Sequence, residues 1–348
     1  MAPDPSEKEN DTYHMLWAIG DEWKRLRTAA NPAFSTGKLK SYTPLIALSQ
    51  TKLLPLLEEK ANSGQSFDIR AVFQLLTLDV IGEVAFGCDL KALETNGEGN
   101  DILVELRDLM DMSSKPNKVD EIARAFPPLL LLLKPLVRKA MREKKGPLKC
   151  IGSLLDLAGT MIASRRNNPE QRRNDLIQMM IDAPTLNDRE VKAMSFLFLS
   201  AGYETTSSML AWCAYALATN KNCQDNLRKE LLEEFPEENP DLNYDNVGKS
   251  VYLDWICKET LRLYPIASGV INRFIMNETE LCGIHLTPEC KSVLVDMYTI
   301  HMDENNWGPV DPKKFYPERF GPDYPNSIPE HAFLAFGIGP RQCIGKNA

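Results

Sequence analysis

The sequence predicts a mainly α-helical fold with a small β-sheet. Three observations carry this. Long stretches place apolar residues three and four apart, the period of a helix with one buried face. Strand-like alternation is confined to 280–298, "ELCGIHLTPECKSVLVDMY". No internal repeat and no low-complexity linker interrupts the 348 residues, enough chain for one large domain or two.

Taken in order, the N-terminus "MAPDPSEKENDTYH" is polar and contains proline. It has neither the basic start nor the apolar stretch of a signal peptide. In "DEWKRLRTAANPAFS", Trp23 and Arg27 are four apart, which puts an indole N–H and a guanidinium on one helix face. Residues 126–149, "FPPLLLLLKPLVRKAMREKKGPLK", run from five leucines to a basic cluster. The leucines are too few to span a bilayer, and the pattern suits a core helix with a charged end or a segment lying in a membrane interface. Residues 188–219 read as one long helix, capped by Asn187 or Asp188, with Glu190 placed for a capping box. Its middle is apolar on both faces, as expected for a helix through a large core, and "AGYETTSS" is too polar for lipid. A further helix over 251–264 stops at Pro265. The stretch 280–298 reads as a β-hairpin turning at Thr287-Pro288.

The net charge of −8 argues against a nucleic-acid surface. Eight cysteines are scattered without a C-x-x-C pair, and a chain of this size needs no disulfide scaffold. Most of them read as small, buried, inert thiols in a reducing environment.

The end of the chain, "AFGIGPRQCIGKNA", sets Cys343 in a glycine-rich loop. A nucleophilic cysteine wants a histidine base, and none of His14, His285, His301 and His331 lies in such a signature. A zinc site wants several close Cys or His ligands. A dinucleotide loop lacks its third glycine and the chain to follow it. What a single thiolate can do is ligate haem iron, which asks the protein for one ligand. Gly337, Gly339 and Gly345 would let backbone approach a flat macrocycle, and Arg341 is placed to pair with a propionate.

The spacing Phe336-x-x-Gly339-x-Arg341-x-Cys343-x-Gly345 resembles the cysteine signature of the haem-thiolate cytochrome P-450 monooxygenases. Three more motifs follow that family's order. Ala201-Gly202-Tyr203-Glu204-Thr205-Thr206 is similar to its oxygen-activation segment. There a Thr205 hydroxyl bonded back towards Ala201 would open a groove, Gly202 would leave it clear, and Thr205 with Glu204 would hand on protons. Glu259-x-x-Arg262, with Arg319 of "FYPERF", resembles its structural charged network. Trp23 and Arg27 match its propionate donors, and Arg273 stands one position from where another is expected. The wording "ETLRLYPIA" is nearest to animal microsomal members, of the vertebrate family-three and nematode family-thirteen type.

The resemblance implies a cytochrome P-450 fold, haem b with iron on Cys343, and a pocket of Leu197, Ser200, Ala201, Ile266 and Ala267. It implies O₂ and a small apolar substrate of xenobiotic, steroid or fatty-acid-like kind. It also implies an NADPH-dependent reductase as electron donor and residence on the cytosolic face of the endoplasmic reticulum membrane. Residues 1–348 are expected to form one such domain, truncated at both ends, with the anchor and first helices missing and the chain stopping just after the cysteine loop. Two alternatives stay open. One is an inactive truncated member that binds haem weakly or not at all, and the other is a helical partner-binding domain without cofactor. An absorption spectrum separates them from the first reading.

Overall fold

The computed structural model describes residues 11–114, 139, 143–144, 149–237, 242–270, 272–290 and 292–347. The leucine-rich segment 126–149 lies almost wholly outside the described residues. In chain order the helices are α1 (Gly20–Ala30), α2 (Thr36–Asn62), α3 (Ile69–Ile81), α4 (Asp101–Ser114), α5 (Lys149–Asn167), α6 (Leu176–Asp182) and α7 (Asp188–Thr219). They continue with α8 (Lys221–Glu234), α9 (Tyr244–Val247), α10 (Val251–Leu263), α11 (Met297–Met302) and α12 (Glu304–Trp307). Four three-residue strands, β1 (Asn272–Phe274), β2 (Thr279–Leu281), β3 (Ile284–Leu286) and β4 (Ser292–Leu294), lie between α10 and α11. The fold is mainly helical with small antiparallel sheets. Among the described residues, no helix is long and apolar enough to cross a membrane.

The described residues pack as two compact units, one of 11–33 and 45–204 and the other of 34–44 and 205–347. In the first, α3 buries Val72, Leu75 and Leu78 at three-residue spacing. Each such side chain contributes about 1.5–3 kcal/mol. On the same helix the buried Asp79 carboxylate accepts the backbone N–H of Ala92 at 2.7 Å and of Leu93 at 3.0 Å, so it ties the following loop down. Burial pushes its pKa up, and those two bonds pull the other way. After α3 the helix widens into one π-turn, Gly82–Phe86, and stops at Gly87 with φ +60. A Cβ on Gly87 would lie 2.5 Å from the Asp175 carboxylate. That carboxylate is needed there. It takes both arms of Arg165 at 2.6 Å, while Arg165 also donates to the Phe86 carbonyl at 2.6 Å.

Helix α7 begins with a reciprocal capping box. Asn187 N–H donates to the Glu190 carboxylate at 2.9 Å, and Glu190 N–H to the Asn187 side chain at 3.0 Å. Arg25 of α1 pairs with the same Glu190.

In the second unit, α10 ends one residue before Tyr264. Tyr264 stacks on Trp212 of α7, with centroids 4.2 Å apart and planes 4° apart. The sheet corrects the sequence expectation. The hairpin turns at Cys282-Gly283, not at Thr287-Pro288, and pairs β2 with β3. Both turn residues have positive φ, +51 and +77, which a two-residue hairpin of this hand requires; glycine adopts it readily and cysteine seldom signals it. Thr287-Pro288 instead leads into a 3₁₀ turn, and β4 pairs back with β1, with Arg273 opposite Val293. Of the eight cysteines only Cys150 is buried, and Cys282, Cys290 and Cys343 are exposed, so the expectation of buried thiols fails for most of them.

Candidate functional site

The cysteine loop rests on backbone hydrogen bonds of its own. Gly337 N–H donates to the Leu334 carbonyl at 2.8 Å, Gln342 N–H to Gly339 at 3.1 Å, and Cys343 N–H to Phe336 at 2.8 Å. Folding back this tightly takes left-handed backbone, supplied by Gly337 at φ +68 and Gly339 at φ +77. Leu334 is buried and anchors the start, while the Cys343 thiol is exposed. Arg341, Phe336 and Gly345 are half-buried around it.

This donor set fits one kind of metal group. Among the described residues no three His, Cys, Asp or Glu side chains gather to hold an ion. A single exposed thiol on a stapled loop suits a metal whose other ligands come from a macrocycle. Trp23 and Arg27 lie on α1 in the other unit, both half-buried, and Arg27 Nε donates to Asn31 Oδ1 at 3.1 Å. Arg273 is exposed on β1 and donates to the carbonyl of Asn272 at 2.7 Å.

The same unit as the loop holds a closed charged network. Glu259, Arg262 and Arg319 have side chains with 0% exposure. Arg262 forks onto the Glu259 carboxylate at 2.7 and 2.8 Å, and Arg319 Nε adds a third bond at 3.2 Å. Tyr316 N–H supplies a fourth at 3.0 Å. Spare donors are taken by carbonyls: Arg262 by His301 and Pro312, each at 2.7 Å, and Arg319 by Val310 at 2.7 Å and by Trp307 and Asp311. One carboxylate thus binds two arginines, and backbone dipoles spread the surplus positive charge.

Helix α7 is largely buried from Val191 to Leu199, yet Ala201, Thr205 and Thr206 are exposed in its middle. Ala201 and Thr205 are one turn apart and share a face. Between them Tyr203 is buried, its hydroxyl pushed up to about 12 by burial, and Thr77 donates to its carbonyl at 2.9 Å. The expected burial right through the helix therefore breaks at the hydroxyl segment. Gly202 makes room for a neighbouring helix: a Cβ there would lie 2.9 Å from Ile81 of α3. Glu204 is held by Arg70, and by Gln74 at 3.2 Å, both on α3. Sequence reasoning missed these two partners, which lie 134 and 130 residues away and leave no local signal.

Leu197 and Ser200 are half-buried, and the Ser200 hydroxyl donates back to Phe196 at 3.0 Å and Leu197 at 3.1 Å. Ile266 is half-buried, and Ala267 is exposed at φ +55.

Known proteins resemble the chain along nearly its whole length. A sequence model of the family described as Cytochrome P450 matches residues 3–347. Cytochrome P450 3A29 of Sus scrofa is 32% identical over 343 residues, which is 94% of this chain and 64% of that protein. Cytochrome P450 3A12 of Canis lupus familiaris is 34% identical, over 93% of this chain and 64% of its own length. Cytochrome P450 3A7 of Homo sapiens is 32% identical, over 94% and 64%. The chain therefore spans just under two thirds of the length of these curated relatives.

Proposed function

The chain belongs to the cytochrome P450 family, and from that premise we propose that it is a haem-thiolate monooxygenase with Cys343 as the protein ligand to iron. The observation that carries the reading is the exposed Cys343 thiol on a loop braced by its own backbone bonds. The bound haem supplies activation of O₂ with two electrons and two protons, one oxygen atom entering the substrate and the other leaving as water. The protein's part is to bind, orient and deliver protons. Cys343 donates the thiolate, and Gly337 and Gly339 keep side chains off the loop. Arg341, Trp23, Arg27 and Arg273 are the donors for the propionates. Leu197, Ser200, Ala201, Ile266 and Ala267 offer a small apolar substrate little polar selection. Electrons come from an NADPH-dependent reductase at the endoplasmic reticulum membrane.

The test is spectroscopic. The reduced protein with carbon monoxide is expected to give the red-shifted Soret band of a thiolate ligand, and Cys343→Ser to lose it entirely. A mutant that keeps the band sinks the assignment.

Within this reading Thr205 and Glu204 have separable roles. Glu204 is clamped by Arg70 and Gln74, so proton delivery falls chiefly to the exposed Thr205 hydroxyl. Thr205→Ala is expected to keep its haem content yet divert reducing equivalents to peroxide. Product formation should fall by on the order of 10²-fold, the usual worth of a positioned proton donor. Peroxide and product are measured together, and unchanged coupling would count against the role.

A further inference from the structure

His301 is completely buried on α11, and both of its ring nitrogens are engaged. Nδ1 lies 3.0 Å from the Arg262 carbonyl oxygen, which can only accept. Nε2 receives the Leu334 N–H at 2.9 Å. Those two partners fix the tautomer: Nδ1 carries the proton and Nε2 the lone pair, so the ring is neutral. Burial supports this by pushing its pKa down to about 4.

The contact with Arg262 is reciprocal. Arg262 Nη1 donates to the backbone carbonyl of His301 at 2.7 Å while the His301 ring donates to the backbone carbonyl of Arg262. The imidazole also lies flat on Phe333, 5.9 Å between centroids and 9° between planes, with Trp307 edge-on at 6.1 Å. On its far side stands Leu334, whose carbonyl accepts Gly337 N–H as the loop's first staple. The unbroken order is Glu259, Arg262, His301, Leu334, Gly337 and then, through Phe336, Cys343. The task demands a flat group with a donor at one end and an acceptor at the other. A neutral imidazole meets it, whereas a hydrocarbon ring would leave the Leu334 N–H buried without a partner.

We propose that His301 is a positioning residue for Cys343, registering the cysteine loop on the Glu259–Arg262–Arg319 network. The proposal rests on Cys343 being the iron ligand for its catalytic meaning, but its first test does not need haem. Amide hydrogen exchange is measured on the whole chain, haem-free and haem-loaded, for wild type, His301→Phe and His301→Asn. His301→Phe keeps a stacking ring and removes both bonds. His301→Asn places an amide where Nδ1 stood and cannot reach Leu334. In the variants, exchange at Leu334 and Cys343 should quicken by roughly tenfold, as loss of one internal hydrogen bond allows, while α7 and α5 amides keep wild-type rates. In the haem-loaded protein the red-shifted carbon monoxide band should shrink relative to total haem. If His301→Phe does not fold, His301→Asn alone decides. A folded variant whose Cys343 amide exchanges at the wild-type rate overturns the proposal, as does acceleration spread evenly over all helices. Absence of haem from wild type would instead defeat the proposed function, and the haem-free exchange result would still stand.

Discussion

Glu259→Ala is expected to abolish soluble, folded protein. The variant would leave Arg262 and Arg319 charged, fully buried and without their shared carboxylate. Removing one member of a buried pair costs about 3–5 kcal/mol, because the remaining charge keeps its desolvation penalty and loses its partner. Here two charges are stranded, so the upper part of that range applies. Typical domains are stable by roughly 5–15 kcal/mol in all, so most of the margin would go. The carbonyls of His301, Pro312 and Val310 soften the loss but cannot neutralise it. Glu259→Gln separates charge from hydrogen bonding. It keeps one acceptor oxygen for Tyr316 N–H but offers an N–H₂ to an arginine, and should be destabilised nearly as much. The measurement is soluble yield followed by the urea midpoint of whatever folds. A Glu259→Ala protein with a midpoint near wild type would show that the network does not hold this part of the core.

Much of this was legible because its physics is local. The long helix starts where Asn187 and Glu190 cap each other, and the bonds are both present. The helix before Pro265 ends at Leu263, since proline cannot continue it. The cysteine loop is readable because the glycines that turn it, at φ +68 and +77, lie within a few residues of Cys343. The hairpin was misplaced because proline is a familiar turn marker and a cysteine at φ +51 is not. The clamp on Glu204 and the tether through His301 were invisible for a different reason. Arg70 and Gln74 reach Glu204 across at least 130 residues, and His301 joins carbonyl and N–H groups, which every residue has. Backbone partners write nothing into side-chain spacing.

His301 and His14 together make the protein acid-sensitive well above the carboxylate range. Both are buried, and burial lowers both from 6.5 to about 4. His14 sits between Trp17 and Phe196, with Nδ1 finding no hydrogen-bond partner among the described residues. In the unfolded chain each imidazole takes its proton near pH 6.5, whereas the folded protein resists until about pH 4. The unfolded state therefore binds more protons throughout that window, and stability falls as pH falls through it. Above pH 6.5 the full stability is present. At pH 5 each histidine should have cost about 2 kcal/mol, and the pair about 4 kcal/mol. Asp79 works the other way, since burial raises its carboxyl and so favours the folded state in acid. The histidines' own share of the loss falls between pH 6.5 and 4. Unfolding free energies from urea titrations at pH 7.5 and pH 5, under constant salt, should differ by about 4 kcal/mol. His14→Phe should remove about half of the difference and leave the rest to His301. Equal midpoints at the two pH values would mean that these rings are already reached by protons in the folded state.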